Sequence, residues 1–177
     1  MSWTGDGVGR VVLVGVDGST TSAKAVERAV REAASRGAAL HVVHVTPAPG
    51  GGERGSCVLD AAADCAARVD PDVPVRTTLR SGSPVEVLLD AARTAELVVV
   101  GTRRLGTDAA AACGSVSTRV AAGSAAPVVV VPPVDGRSRP SADVVVGVDG
   151  SPAADAALRF ALDEARETGG RVVAVCA

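Results

Sequence analysis

The segment Val12 to Ser19 reads VLVGVDGS, and VVVGVDGS follows it at Val144 to Ser151, an offset of 132 residues. The alignment runs on without a gap: Thr20–Arg36 falls on Pro152–Thr168, Gly37 on Gly169, and Val45 on Ala177. A chain that repeats itself over such a distance is built from one supersecondary unit used twice. It is therefore read as one whole unit, residues 10–133, a linker at 134–142 that carries Pro, Arg and Gly, and the opening strand-helix-strand of a second unit at 143–177. On that reading the 177 residues are a truncated form of a longer tandem protein.

Within the first unit, short continuous apolar runs alternate with segments of helical period. Val11–Val16, Ala39–Val45, Val75–Arg80, Leu97–Val100 and Pro127–Val131 read as strands, too apolar to face water on either side. Thr20–Arg36 places Ala23, Val26, Ala29, Val30 and Ala33 on one helical face and stops at Gly37. Cys57–Val69 and Ser83–Thr94 read as further helices, the latter with Ser83 and Glu86 at capping-box spacing and Pro84 at the first helical position. Pro47–Gly55 reads as a mobile loop, and a turn-rich stretch from Gly101 to Asp108 leads into an Ala-rich helix ending near Gly123. Strand and helix in alternation predict an α/β fold, a mostly parallel sheet between helical layers.

Composition removes several functions. Trp3 and Phe160 are the only aromatic residues, which leaves no platform for stacking single-stranded bases. Eighteen basic and 20 acidic residues are interspersed, for a net charge of −2, so no basic tract tracks a nucleic-acid backbone or an anionic membrane. Cys57, Cys65, Cys113 and Cys176 share no CxxC spacing, and His41 and His44 point to opposite faces of one strand, so no metal site is expected. No apolar stretch approaches the ~18 residues of a membrane helix, and the expected location is cytoplasmic.

Two loops at strand ends carry chemistry. In Gly15-Val16-Asp17-Gly18-Ser19 the acidic residue suits either a sugar hydroxyl or the capping of the following helix, in which Ser19 is an equal candidate. Gly101-Thr-Arg-Arg-Leu-Gly106 with Gly114-Ser-Val-Ser117 suits either an anion cradle at a helix N-terminus, with Arg103 and Arg104 pairing to phosphate oxygens, or plain turn chemistry. Neither a Walker A loop nor a GxGxxG fingerprint is present.

GVDGS after the first strand, His44-Val45 closing the second, VVVGTRRLG from Val98 to Gly106, GSVS from Gly114 to Ser117 and the final VVVV together resemble the universal stress protein family. The resemblance spans 10–132 and 143–177 and is to its tandem members. It implies a doubly wound, five-stranded parallel sheet of order 3-2-1-4-5, with Asp17 and Gly101 facing one cleft. ATP-binding members carry G-x2-G-x9-G-[ST]; here Gly101, Gly114 and Ser115 fit, while Arg104 stands in place of the second glycine.

The resemblance gives Asp17 the ribose and Val16 and Val45 the adenine edge, with Gly15 in the same strand-end loop. Gly101 and Arg103 take the phosphate-side turn, and Gly114, Ser115, Val116 and Ser117 the phosphates. The implied cofactor is ATP, with Mg²⁺, in a stress-response regulator without catalytic residues. It also implies a homodimer paired through the edge strand Val128–Val131. The alternatives are a nucleotide-free dimerising module, made credible by Arg104, a slow ATPase, and more remotely an electron-transfer-flavoprotein type of adenine-nucleotide fold. The second copy has Cys176 where the first has His44 and no glycine loop, so it is expected to bind no nucleotide alone.

Overall fold

A computed structural model of the chain describes residues 9–47, 52–102, 116–133 and 142–176, which divide into two compact units, one ending at Pro133 and the other starting at Val134. In the first unit the apolar runs become β1 (Val11–Val16), β2 (Ala39–Thr46), β3 (Val75–Ser81), β4 (Leu97–Gly101) and β5 (Val128–Val131). The helices are α1 (Thr20–Arg36), α2 (Gly52–Val69), α3 (Pro84–Ala92) and α4 (Val116–Gly123). All neighbouring strands are parallel, in the order β3-β2-β1-β4-β5.

Register decides what each face buries. Leu13 pairs with His41 and Val98, and Gly15 with Val43 and Val100, so these residues share a face. There Leu13, Val43, Val98 and Val100 pack against Leu88 and Ala92 of α3 and Val120 of α4, all at most 3 % exposed. The pleat turns Val12, Val14, Leu40 and Val42 to the opposite face, and α1 lies over β1 and β4 while α2 lies over β2 and β3. Helices on both faces remove the parallel ladder from water, which is why the strands are continuous apolar runs.

Helix punctuation follows the sequence closely. Ser19 is the N-cap of α1 and Gly37, with φ of 59°, its C-cap; Ser83 caps α3 ahead of Pro84. The expectation for Pro47–Gly55 is corrected. Helix α2 starts at Gly52, before Cys57, and Gly55 is buried in its first turns. A Cβ on Gly55 would stand 2.6 Å from Leu79 Cδ1 and 3.3 Å from His44 Cδ2, so the glycine lets α2 sit close against β2 and β3. That packing outweighs the ~1 kcal/mol by which glycine disfavours a helix interior. The start of the expected Ala-rich helix and most of the Gly101–Asp108 turn lie outside the described residues.

In the second unit β6 (Val144–Val148), α5 (Pro152–Thr168) and β7 (Val172–Cys176) form a parallel pair with its crossover helix. Its local geometry reproduces the first unit: the N-caps Ser19 and Ser151 have φ, ψ of −78°, 161° and −79°, 157°, and Gly18 and Gly150 both have φ of 79°. Burial differs. Val145 and Val175 are 68 % and 50 % exposed, whereas Leu13 and Val43, their counterparts at the 132-residue offset, are 0 % and 2 % exposed.

Candidate functional site

From β1 the chain moves outward to β2, and from β4 it moves the other way to β5, so the C-terminal ends of β1 and β4 flank the point where the winding reverses. Such a point leaves a crevice in an open α/β sheet. Here it is a cleft of about 220 Å³. Gly15, Val16 and Asp17 border it from β1 and the loop that follows, and Gly101 and Thr102 from the end of β4.

The turn after β1 is built by local hydrogen bonds. Gly18 takes a positive φ that an L side chain rarely adopts, the Ser19 N–H donates to Asp17 Oδ1 at 3.0 Å, and the Ser22 N–H donates to Ser19 Oγ at 3.1 Å. Ser19 is thus the helix cap, and Asp17 closes the turn with one carboxylate oxygen while standing exposed at the lip of the cleft. The second unit does the same, with Ser151 N–H to Asp149 Oδ1 at 2.9 Å, and the hydrogen bonds from Ser151 hold the Asp149 carboxyl below its usual range. The turn is a property of the DGS sequence.

Gly101 has a packing reason of its own. A Cβ there would stand 3.0 Å from the Thr21 carbonyl oxygen and 3.1 Å from its carbonyl carbon, so the glycine allows the end of β4 to touch the first turn of α1. That contact brings Thr21 and Ser22 to the cleft beside Thr102. On the opposite side of β1, His44 Nδ1 lies 2.8 Å from the Val16 carbonyl oxygen. A carbonyl can only accept, so Nδ1 carries the proton and ties the ends of β2 and β1 together.

The walls divide by chemistry. Val43, Val45, Pro84 and Leu88 contribute apolar lining, while Ser19, Thr21, Ser22 and Thr102 contribute hydroxyl-bearing side chains beside the ends of β1 and β4. Helices α1, α3 and α4 all start at this end of the sheet, and neither α1 nor α4 has an acidic residue in its first turn. The partial positive charge at a helix N-terminus favours an anion nearby.

Of the residues singled out in the sequence, Gly15, Val16, Asp17, Val45, Gly101 and Val116 meet around this cleft. Ser117 is 4 % exposed in the first turn of α4 and does not border it. Arg103, Arg104, Gly114 and Ser115 lie outside the described residues. Sequence reasoning missed Thr21, Ser22, Thr102 and, of the apolar lining, Val43, Pro84, Leu88 and Val100. The hydroxyls sit directly after the two strand-end loops and were legible there; Leu88 gave no signal, being one apolar residue among many in α3.

Comparison with known proteins adds the lineage. The model of the universal stress protein family matches residues 9–132 and again 142–177. The chain belongs to the universal stress protein family. A universal stress protein of Mycolicibacterium smegmatis is 34 % identical over 184 residues, which cover 93 % of this chain and 62 % of that protein. The chain thus spans about three fifths of the length of such curated relatives. A universal stress protein solved in complex with cAMP is 33 % identical, with a TM-score of 0.61 over 70 % of this chain and 96 % of the other. A universal stress protein from Archaeoglobus fulgidus, solved with dAMP, shares the fold at 21 % identity and a TM-score of 0.59, over 70 % of this chain and 98 % of its own. Among the described residues no helix is long and apolar enough to cross a membrane.

Proposed function

We propose that this universal stress protein binds an adenine nucleotide, ATP with Mg²⁺, in the cleft between β1 and β4, and that the nucleotide regulates a stress response without being turned over. The supporting observation is one cleft that joins apolar lining to hydroxyl-bearing side chains at a helix N-terminus, which suits a base joined to an anionic tail. A protein one-third identical to this one has been solved with cAMP. In this reading Asp17 holds the ribose and Val16 and Val45 border the adenine. Gly15 leaves room for Leu88 at the cleft wall, and Gly101, Arg103, Gly114, Ser115 and Val116 serve the phosphates. Arg104 replaces a glycine and weakens phosphate binding.

Residues 10–133 are the binding domain, 134–142 a linker, and 143–177 the start of a second domain that binds no nucleotide alone. The site of action is the cytoplasm. Isothermal titration with ATP and Mg²⁺, AMP and cAMP tests the reading. Saturable heat that Asp17→Ala removes and Arg104→Gly strengthens is expected; absence of heat for every nucleotide with both the parent chain and Arg104→Gly overturns it.

A second reading, a dimerising module, is favoured by the edge strand β5, four valines in a row with Val130 39 % exposed. Light scattering after size exclusion should give twice the 17.5 kDa chain mass; a monomer at every concentration overturns it.

A further inference from the structure

One side chain of the cleft wall rests directly on the β1 backbone. Leu88, on α3, is 3 % exposed and borders the cleft as well as the core. Its methyl groups lie 3.0 and 3.2 Å from where a Cβ of Gly15 would stand. The isobutyl group therefore rests on the bare backbone of β1, in space any other residue at position 15 would take. Leu13, Val43, Ala92, Val98, Val100 and Val120, packed with it in one core cluster, are at most 3 % exposed, so Leu88 has no room to retreat into the core; Val43 and Val100 border the cleft beside it.

In the adenine-nucleotide reading the sugar and phosphates lie along Ser19, Thr21, Ser22 and Thr102. The glycosidic nitrogen therefore faces those residues, and the opposite edge of the base, for adenine the six-membered ring with its exocyclic amino group, faces the apolar residues, Leu88 among them. From this geometry we propose that Leu88, seated on Gly15, is the specificity-determining wall that sets how deep a base enters and rejects bases enlarged on that edge. The proposal rests on the adenine-nucleotide reading and adds to it a determinant on α3, outside both strand-end loops.

Binding of ATP, N6-benzyl-ATP and inorganic tripolyphosphate to the full chain tests it, with thermal melting to verify folding. The parent chain is expected to prefer ATP over N6-benzyl-ATP by about tenfold or more, the scale on which a filled apolar pocket discriminates. Leu88→Ala, or Leu88→Val if the larger truncation unfolds the core, is expected to shrink that ratio about tenfold. Gly15→Ala pushes Leu88 toward the cleft and should weaken ATP several-fold while leaving tripolyphosphate unchanged. An unchanged ratio in a folded Leu88 variant of a chain that binds ATP overturns the wall alone, as does equal weakening of ATP and tripolyphosphate by Gly15→Ala. Failure of both the parent chain and Arg104→Gly to bind either nucleotide overturns the adenine reading and the wall with it.

Discussion

Replacing Gly101 by alanine tests the closest approach in the site. Without a positive φ at this position, alanine suits the strand backbone, and on propensity alone it should gain about 0.5–1 kcal/mol. Against that, the new methyl would sit 3.0 Å from the Thr21 carbonyl oxygen and 3.1 Å from both its carbonyl carbon and Cγ2. Two of the three contacts are backbone, and α1 behind them is anchored by Ala25, Val26, Ala29 and Val30, all 0 % exposed. Neither partner yields by rotating a side chain, so overpacking of about 1–3 kcal/mol is expected. At mid-range values the net loss is about 1 kcal/mol, or roughly 4 °C in Tm for a unit of this size. Urea denaturation followed by circular dichroism measures it, with Gly123→Ala as control. A Cβ at Gly123 meets only Leu89 methyls at 3.4 Å or more, and that helical position should be neutral or gain up to about 1 kcal/mol. A Gly101→Ala protein as stable as its parent would refute the close packing of β4 on α1.

Glu32 of α1 is 2 % exposed and accepts Arg28 Nε at 2.6 Å and the Arg36 guanidinium, so Glu32→Gln leaves two arginines without their shared anion and should cost about 1–3 kcal/mol in the same assay. Burial, then the charges of Arg76 and Arg80, lower the His41 pKa from 6.5 to about 4, and since Arg76 can only donate to Nδ1, the neutral ring donates from Nε2 to Thr78. Because the unfolded chain takes up this proton first, stability should fall as pH drops from 6.5 toward 4. Arg76→Gln should raise the His41 midpoint in an NMR titration, and an unmoved midpoint would count against the contact. Ser151→Ala removes the bond to the Ala154 N–H and should cost the second unit about 1 kcal/mol. With the face of Val145 and Val175 open to water, amides of β6 and β7 should exchange faster than those of β1 and β4; equal protection would contradict that exposure.

The strand-helix alternation, the helix caps and the DGS turn were legible because each is written in neighbouring residues. A buried strand is a run of valines, a helix start is Ser19 or Ser83 followed by amides it can accept from, and Gly18 and Gly150 take the same φ of 79° in two different surroundings. The 132-residue repeat carried that information twice. The strand order implied by family resemblance put Asp17 and Gly101 on one cleft, which the sheet bears out.

What tertiary structure decided is which distant residues touch. Gly55 reads as the end of a loop until Leu79 and His44 occupy the space beside it, and Gly101 reads as part of a phosphate turn until Thr21 is found against it. His41 reads as a strand histidine until Arg76 and Thr78 reach both its nitrogens, and Leu88 is one core leucine until Gly15 lies beneath it. Local hydrogen bonding and periodicity act over a few residues, so the chain spells them out. Close approach depends on sheet register and on how helices seat across it, which no short stretch of sequence contains.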